Sequence, residues 1–312
     1  MAYTTGSAAD MAAVKTALVN ACTGDGWIEE TDADGHTVLS KDGCFVQIRV
    51  IAISEGDCLA ILGKTGLNEG AAPFPNHIGP VKYDDNTRAA ISYPVAYHIF
   101  TFSSPAEAFL VIGYEDKFQW LSFGQSDQAG LLGTGNWVAG FMGGFGSHGS
   151  IRMSMNSSGS DGSTWAYMPG MFCRYGYRGY SIIANQMLHS GFTEAHPWSL
   201  SMDSMTTSRN IVGWGYVSGL LNTQPNNFNN ESVLLPIRAY KERPEDKQSQ
   251  VLEVRNARHV RVDHYADGEI IQLGDDKWMV FPYHRKNVSE RNGGDRIEHT
   301  GTFGWAIRYE GP

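Results

Sequence analysis

The chain has 312 residues, 42% hydrophobic and 18% charged, with 36 glycines and a net charge of −9. That is enough chain for about two domains of ~100–200 residues. The composition excludes a mainly disordered chain, a collagen and a coiled coil. Residues 1–150 hold 7 Lys and Arg against 16 Asp and Glu, whereas residues 151–312 hold 17 of each. An acidic first half argues against a nucleic-acid partner, because phosphate contacts need a basic surface. No apolar run reaches the ~18–20 residues of a membrane span. The start, Met1 to Asp10, has neither a basic segment nor an apolar one, so a signal peptide is not expected.

The spacing predicts one convincing helix. Ser7 is its expected N-cap, Asp10 faces its N-terminus, and Met11, Val14, Leu18 and Ala21 follow at helical intervals. Gly24 and Gly26 end it. Short strands follow: Trp27 to Glu30, a turn at Asp32–Gly35, His36 to Ser40, a turn at Asp42-Gly43, then Cys44 to Ile53 and Cys58 to Leu62. Residues 63–92, broken by Pro73, Pro75 and Pro80, read as irregular. Tyr93–Phe102, Phe109–Tyr114 and Phe118–Phe123 are near-continuous apolar runs, as in strands covered on both faces.

Residues 124–175 are the loosest part, rich in glycine and serine. Aromatic residues crowd this stretch and the one after it: Trp137, Phe141, Trp165, Tyr167, Phe172, Tyr175, Tyr177, Tyr180, Trp198 and Trp214, with Arg174 and Arg178 among them. Aromatics and arginine beside open backbone suit contact with another chain. The same rings would equally fill the core of one β module. The last third is strand-like again: Val233–Lys241, Val251–Val254, His259–Val262, a hairpin over Glu269–Leu273 and Lys277–Phe281, and a closing strand at Phe303–Tyr309. The expected fold is a β-dominated α+β chain: an N-terminal helix on a strand meander, then further antiparallel modules. Its expected parts are an α+β domain over 1–130, a Gly/aromatic interface region over 131–230 and a β module over 231–312.

Local catalytic signatures fail one by one. Gly63-Lys64-Thr65 ends like a phosphate loop, but Cys58 stands where that loop needs its first glycine. Asp32-Ala33-Asp34-Gly35 opens like a calcium loop, but Lys41 stands where the closing glutamate belongs, so a β-turn is expected. His259 and His264 are five apart on an expected strand and point to opposite faces. His98, inside an aromatic strand, is expected to be a hydrogen-bonded core or interface residue. Cys22, Cys44, Cys58 and Cys173 show no metal spacing and are expected to be mostly buried thiols. No catalytic residue, metal or cofactor is expected. A pair of carboxylates for sugar cleavage needs no local motif, so that route stays open; Asp275-Asp276 sit on a hairpin tip and do not suit it.

The C-terminal strings Ala257–Asp263, Gly268–Gly274, Lys277–Pro282, Arg285–Asn287 and His299–Arg308 resemble a family of tailed-bacteriophage virion proteins carried by phages and prophages of Gram-negative bacteria. Tyr93–Phe123, with Tyr97-His98 and Gln119–Gly124, and Gly135-Asn136-Trp137 are similar to the same family. The resemblance implies a non-enzymatic structural part of the virion tail, in the tail tip or baseplate, assembled in the host cytoplasm. It implies other tail proteins as partners and copies of the chain itself, as a trimer or hexamer. It carries over no catalytic residue. Two alternatives stand beside it: a receptor-binding tail protein that contacts a pilus or surface glycan, and a polysaccharide-degrading tail enzyme.

Overall fold

The computed structural model describes residues 1–53, 55–82, 88–128, 131–143, 170–172, 186–192, 194–195, 197–201, 210–211, 232–243, 245, 247–291 and 298–311. The chain starts with a strand, β1 (Ala2–Ala8), that composition did not announce. Ser7 lies in this strand, so the N-cap falls to Asp10, whose carboxylate accepts the Ala13 N–H at 2.7 Å. Helix α1 (Met11–Gly24) buries Met11, Val14, Leu18, Val19 and Cys22. It is the one helix among the described residues. The Asp25 N–H turns back to the Ala21 and Cys22 carbonyls, and Gly26 takes the positive φ of +86° that ends the helix.

A first, eight-stranded sheet runs β1, β9 (Val95–Ser103), β10 (Ala106–Tyr114), β11 (Lys117–Gln125), β12 (Asn136–Gly140), β14 (Gln186–His189), β15 (Trp198–Ser201), β16 (Asn210–Ile211). All its neighbours are antiparallel except β15 and β16. A second sheet follows the order β13 (Met142–Gly143), β6 (Asn76–Ile78), β5 (Gly56–Lys64), β4 (Cys44–Ile53), β3 (Thr37–Lys41), β2 (Ile28–Thr31). A third runs β17 (Leu235–Arg243), β18 (Lys247–Arg261), β21 (Phe303–Tyr309), β20 (Asp276–Pro282), β19 (Ile270–Leu273). A small ladder pairs β7 (Val81–Lys82) with β8 (Arg88–Ala89). The chain is therefore β-dominated α+β, as its composition implies.

The first sheet is the middle layer. Successive side chains of a strand alternate in direction, and the register of β9, β10 and β11 puts Phe100, Phe109 and Trp120 on one face. These rings meet the third sheet: Trp305 stands 5.1 Å from Trp120 and 5.9 Å from Phe109, and Phe281 stands 6.4 Å from Phe100. Ile99, Leu110, Leu121 and Phe123 take the opposite face, where Trp27 packs edge-on against Phe123 at 5.2 Å. Helix α1 packs there against β1, β9, β4 and β5. Coverage on both sides explains why β9 to β11 read as continuous apolar runs.

Three expectations change. Residues 63–92 hold β6, which is buried in the second sheet, together with the β7–β8 ladder. Val251–Val254 and His259–Val262 belong, up to Arg261, to one fifteen-residue strand, β18, interrupted by register shifts rather than by a loop. The first sheet also continues through the expected boundary at 130/131, because β12 pairs with β11.

Candidate functional site: buried charges and a cleft between the sheets

Each buried charge marks a place where the fold spends its polar interactions. Asp32 sits in the β2–β3 turn, 6% exposed. One oxygen accepts the N–H groups of Asp34 (3.1 Å) and His36 (2.9 Å), and the other accepts Gln47 Nε2 (2.6 Å) and Lys64 Nζ (3.0 Å). Burial pushes its pKa up; the His36, Gln47 and Lys64 hydrogen bonds and the Lys64 charge outweigh this and hold it well below the usual carboxylate range. Asp32, Asp34 and His36 bring possible metal-ligand atoms within 4.8 Å of one another. An ammonium already on Asp32 and four filled acceptor directions make this a turn anchor rather than a cation cage. Lys64, the lysine of the phosphate-loop-like string, is thereby committed to Asp32 at the end of β5.

Glu107 is the second such place. It stands on β10, fully buried, in an otherwise apolar strand. One oxygen accepts the Arg255 N–H at 2.8 Å; the other accepts the Asn256 N–H at 3.0 Å and Asn256 Nδ2 at 2.9 Å. In the β17–β18 register Arg258 faces Pro236 while Val254 faces Ile237, so residues 255–257 bulge out of that ladder. Glu107 supplies the acceptors that the bulge lacks. Arg258 closes it by donating to the carbonyls of Val254, Arg255 and Ala257. Burial raises the Glu107 pKa to about 7, against the pull of the Arg255 and Asn256 donors and the Arg258 charge. The backbones meet closely here: a Cβ on Gly124 would come 2.7 Å from the Ala106 carbonyl and 2.9 Å from Glu107 Cγ.

Beside this junction opens a polar cleft of about 560 Å³, lined by Asp42, Ser103, Ser104, Pro105, Ala106, Gln125, Asp127, Arg255, Asn256 and Arg308. Its guanidinium groups are engaged: Arg255 pairs with Asp127 at 3.0 Å and Arg308 with Asp276 at 2.8 Å. Ser103 accepts from Lys41 Nζ at 2.9 Å and donates to Asp25 at 3.3 Å, while Lys41 and Asp25 pair at 3.0 Å. The serine hydroxyl thus faces an ammonium donor, and the trio ties the end of β9 to the end of α1. The cleft can accept a polar group.

The buried histidines act as packing and hydrogen-bonding groups. His259 shares a hydrogen bond with the Tyr283 hydroxyl at 2.5 Å, and burial lowers its pKa to about 3. His284 lies against Phe141 and hydrogen-bonds the Phe118 carbonyl at 2.7 Å; burial lowers its pKa to about 4. His98 is half-buried and hydrogen-bonded to the Tyr3 hydroxyl at 2.7 Å. His264, beyond the end of β18, is exposed. Cys22, Cys44 and Cys58 are buried free thiols, with pKa values raised by burial. Cys173 lies outside the described residues.

No family model matches the chain, and no curated protein matches it.

Among the interface candidates, Trp137, Phe141, Phe172 and Trp198 are buried inside the chain. Trp137 packs between Phe109 and Phe172, and Trp198 Nε1 donates to the Gly70 carbonyl at 2.9 Å. These four are core rings, because the first sheet extends through β12 to β15 and needs apolar cover there. Trp165, Tyr167, Arg174, Tyr175, Tyr177, Arg178, Tyr180 and Trp214 lie outside the described residues. Glu107 and the 255–257 bulge carry no spacing signature. The one available signal was a lone carboxylate in the apolar run Ala106–Ile112, which in a buried strand demands a partner.

Proposed function

We propose that the chain is a non-enzymatic structural component of a tailed-phage virion, placed in the tail tip or baseplate, where it packs against copies of itself and other tail proteins. The observation that supports this best is where the family-like strings lie. Tyr93–Phe123 supplies β9 to β11, and Ala257–Arg308 supplies the end of β18 and most of the third sheet. Although far apart in sequence, they pack face to face through Phe100, Phe109, Trp120, Phe281 and Trp305. Strings that resemble a structural family are thus the ones that make the framework. The internal pairing of Asp32, Glu107 and His259 fits the same reading, since each is spent on holding elements together.

The chain is assigned three or six copies, following the rotational symmetry of tails. The receptor-binding alternative draws on the aromatic loops over 131–230, whose rings Trp165, Tyr167, Tyr175, Tyr177, Tyr180 and Trp214 lie outside the described residues. Mass spectrometry of gradient-purified virions from the bacterium that carries the gene tests the proposal. The chain is expected at a fixed ratio to the other tail proteins; its absence from washed particles would refute the reading.

A further inference from the structure

The three large sheets treat their edges differently. β1 lies beside α1, and β13 and β16 are two residues long. β2 carries Glu29 and Glu30, and β17 carries Pro236, Arg238, Lys241 and Arg243. Short length, charge and proline are the ordinary protections of a sheet edge against pairing. β19, four residues long like β2, carries neither a charge nor a proline within it. Its residues are Ile270-Ile271-Gln272-Leu273, with Ile270 45% and Leu273 41% exposed, and among the described residues no strand pairs with its outer side.

The register shows what this edge offers. Leu273 faces Asp276 across a two-residue turn, and Ile271 faces Trp278. In an antiparallel hairpin with such a turn, the closing pair and every second pair exchange hydrogen bonds. The N–H and C=O groups of Ile270 and Gln272 therefore point to the open side. Apolar side chains stand on both faces. Ile270 shares the face of Met279 and Ile307, and Ile271 packs on the outer-face cluster of Val260, Val262, Trp278 and Val280.

Charge selects the occupant. Asp267, Glu269 and Asp275 flank the strand and are exposed, while Lys277, the only cation between Ala266 and Pro282, sits one strand in. Two copies of β19 paired antiparallel through Ile270 and Gln272 would set Asp267 against Asp275 twice. The register Gln272 to Gln272 would set Glu269 against Asp275 twice, and Ile270 to Ile270 would set Asp267 against Leu273 with Asp275 beyond it at the same end, again twice. Like charges directly opposite destabilise a strand pair. We propose that β19 is a docking edge for an extended segment of another protein, apolar at its centre and bearing Lys or Arg at both ends, which adds to the third sheet as a sixth, antiparallel strand. This docking edge does not depend on where the protein resides.

The test uses the full chain and a synthetic peptide with a six-residue core of valine, isoleucine and threonine flanked by two lysines on each side. A peptide with the same core flanked by glutamates is the control. The lysine-flanked peptide should bind in an anisotropy titration and slow amide exchange at Ile270 and Gln272, and the control should bind roughly tenfold or more weakly. Gln272→Pro removes an outward N–H without touching the bonds to β20, and should abolish binding while leaving the melting temperature nearly unchanged. The double variant Glu269→Lys, Asp275→Lys should reverse the preference between the peptides. No binding, equal binding of both peptides, or binding without protection at β19 would overturn the proposal. So would sedimentation showing that the wild-type chain self-associates and that Gln272→Pro does not.

Discussion

Replacing Glu107 by Gln measures how strongly the junction of the first and third sheets depends on proton uptake. Burial lifts the Glu107 pKa from 4.5 to about 7. The folded chain therefore holds a proton that the unfolded chain releases as pH rises past 4.5. The stability from this group is complete below that value and is lost as pH rises through about 7. At ~1.36 kcal/mol per pH unit, the gap is worth about 3 kcal/mol, of which about 2.5 kcal/mol falls between pH 5 and pH 8. With an unfolding entropy of ~2.1 cal/mol/K per residue, that is about 4 °C in Tm for a chain of this length. Gln fits the same space and cannot ionise. Differential scanning calorimetry of wild type and Glu107→Gln over that range should show the wild type gaining about 4 °C on the variant from pH 8 to pH 5. Taking the difference cancels the contribution of the histidines. Parallel curves would refute the reasoning. A wild type that gains at alkaline pH would show that the three N–H donors outweigh burial and hold Glu107 ionised.

Trp305 is fully buried, with the rings of Phe109, Trp120 and Tyr283 within 6.0 Å, so Trp305→Ala should cost about 3–5 kcal/mol in denaturant unfolding. Asp32→Ala leaves the Lys64 ammonium buried without its carboxylate and should cost about 3–5 kcal/mol, part of which Lys64→Met in the same chain should restore. Because the Asp32 pKa lies below its ordinary value, this tie should hold at mildly acid pH and fail only as pH falls below the ordinary carboxylate range, read from an acid titration of fluorescence. His259 and His284 have folded pKa values of about 3 and about 4 against an ordinary 6.5, so the folded chain binds fewer protons than the unfolded chain below that point. Each should cost ~1.36 kcal/mol per pH unit as pH falls from 6.5 toward the folded value, and His284→Phe should remove one such contribution, read as the growing difference in Tm between variant and wild type over that range.

Strands with a local pattern were legible in the sequence. Asp42-Gly43 marks a hairpin turn that the structure forms, the expected hairpin over Glu269–Leu273 and Lys277–Phe281 is there with Asp276 paired to Leu273 as the first residue of β20, and Cys44–Ile53 is β4 to the residue. The apolar runs of β9 to β11 correctly announced a strand set covered on both faces. β1 was hidden because Ala2–Ala8 has no apolar alternation; it is a strand because β9 supplies its hydrogen bonds over seven residues. The glycine-rich approach to Trp137 suggested a loop, yet β12 is buried throughout, and Gly140 leaves room for Leu121 and Asn76. Pairing between distant segments is set by the third dimension and leaves no local period. The same holds for the charged sites. Asp32 was visible as a turn residue, but its tie to Lys64 was not; Glu107 and Asn256 are 149 positions apart.

The most direct test of the virion assignment is to place the chain on the particle. An epitope tag on the chain of an otherwise infectious phage, labelled with gold-conjugated antibody and viewed by negative-stain electron microscopy, should put label at the distal end of the tail on most particles. Label found only in the soluble fraction, with the tagged particles bare, would contradict a structural role in the virion.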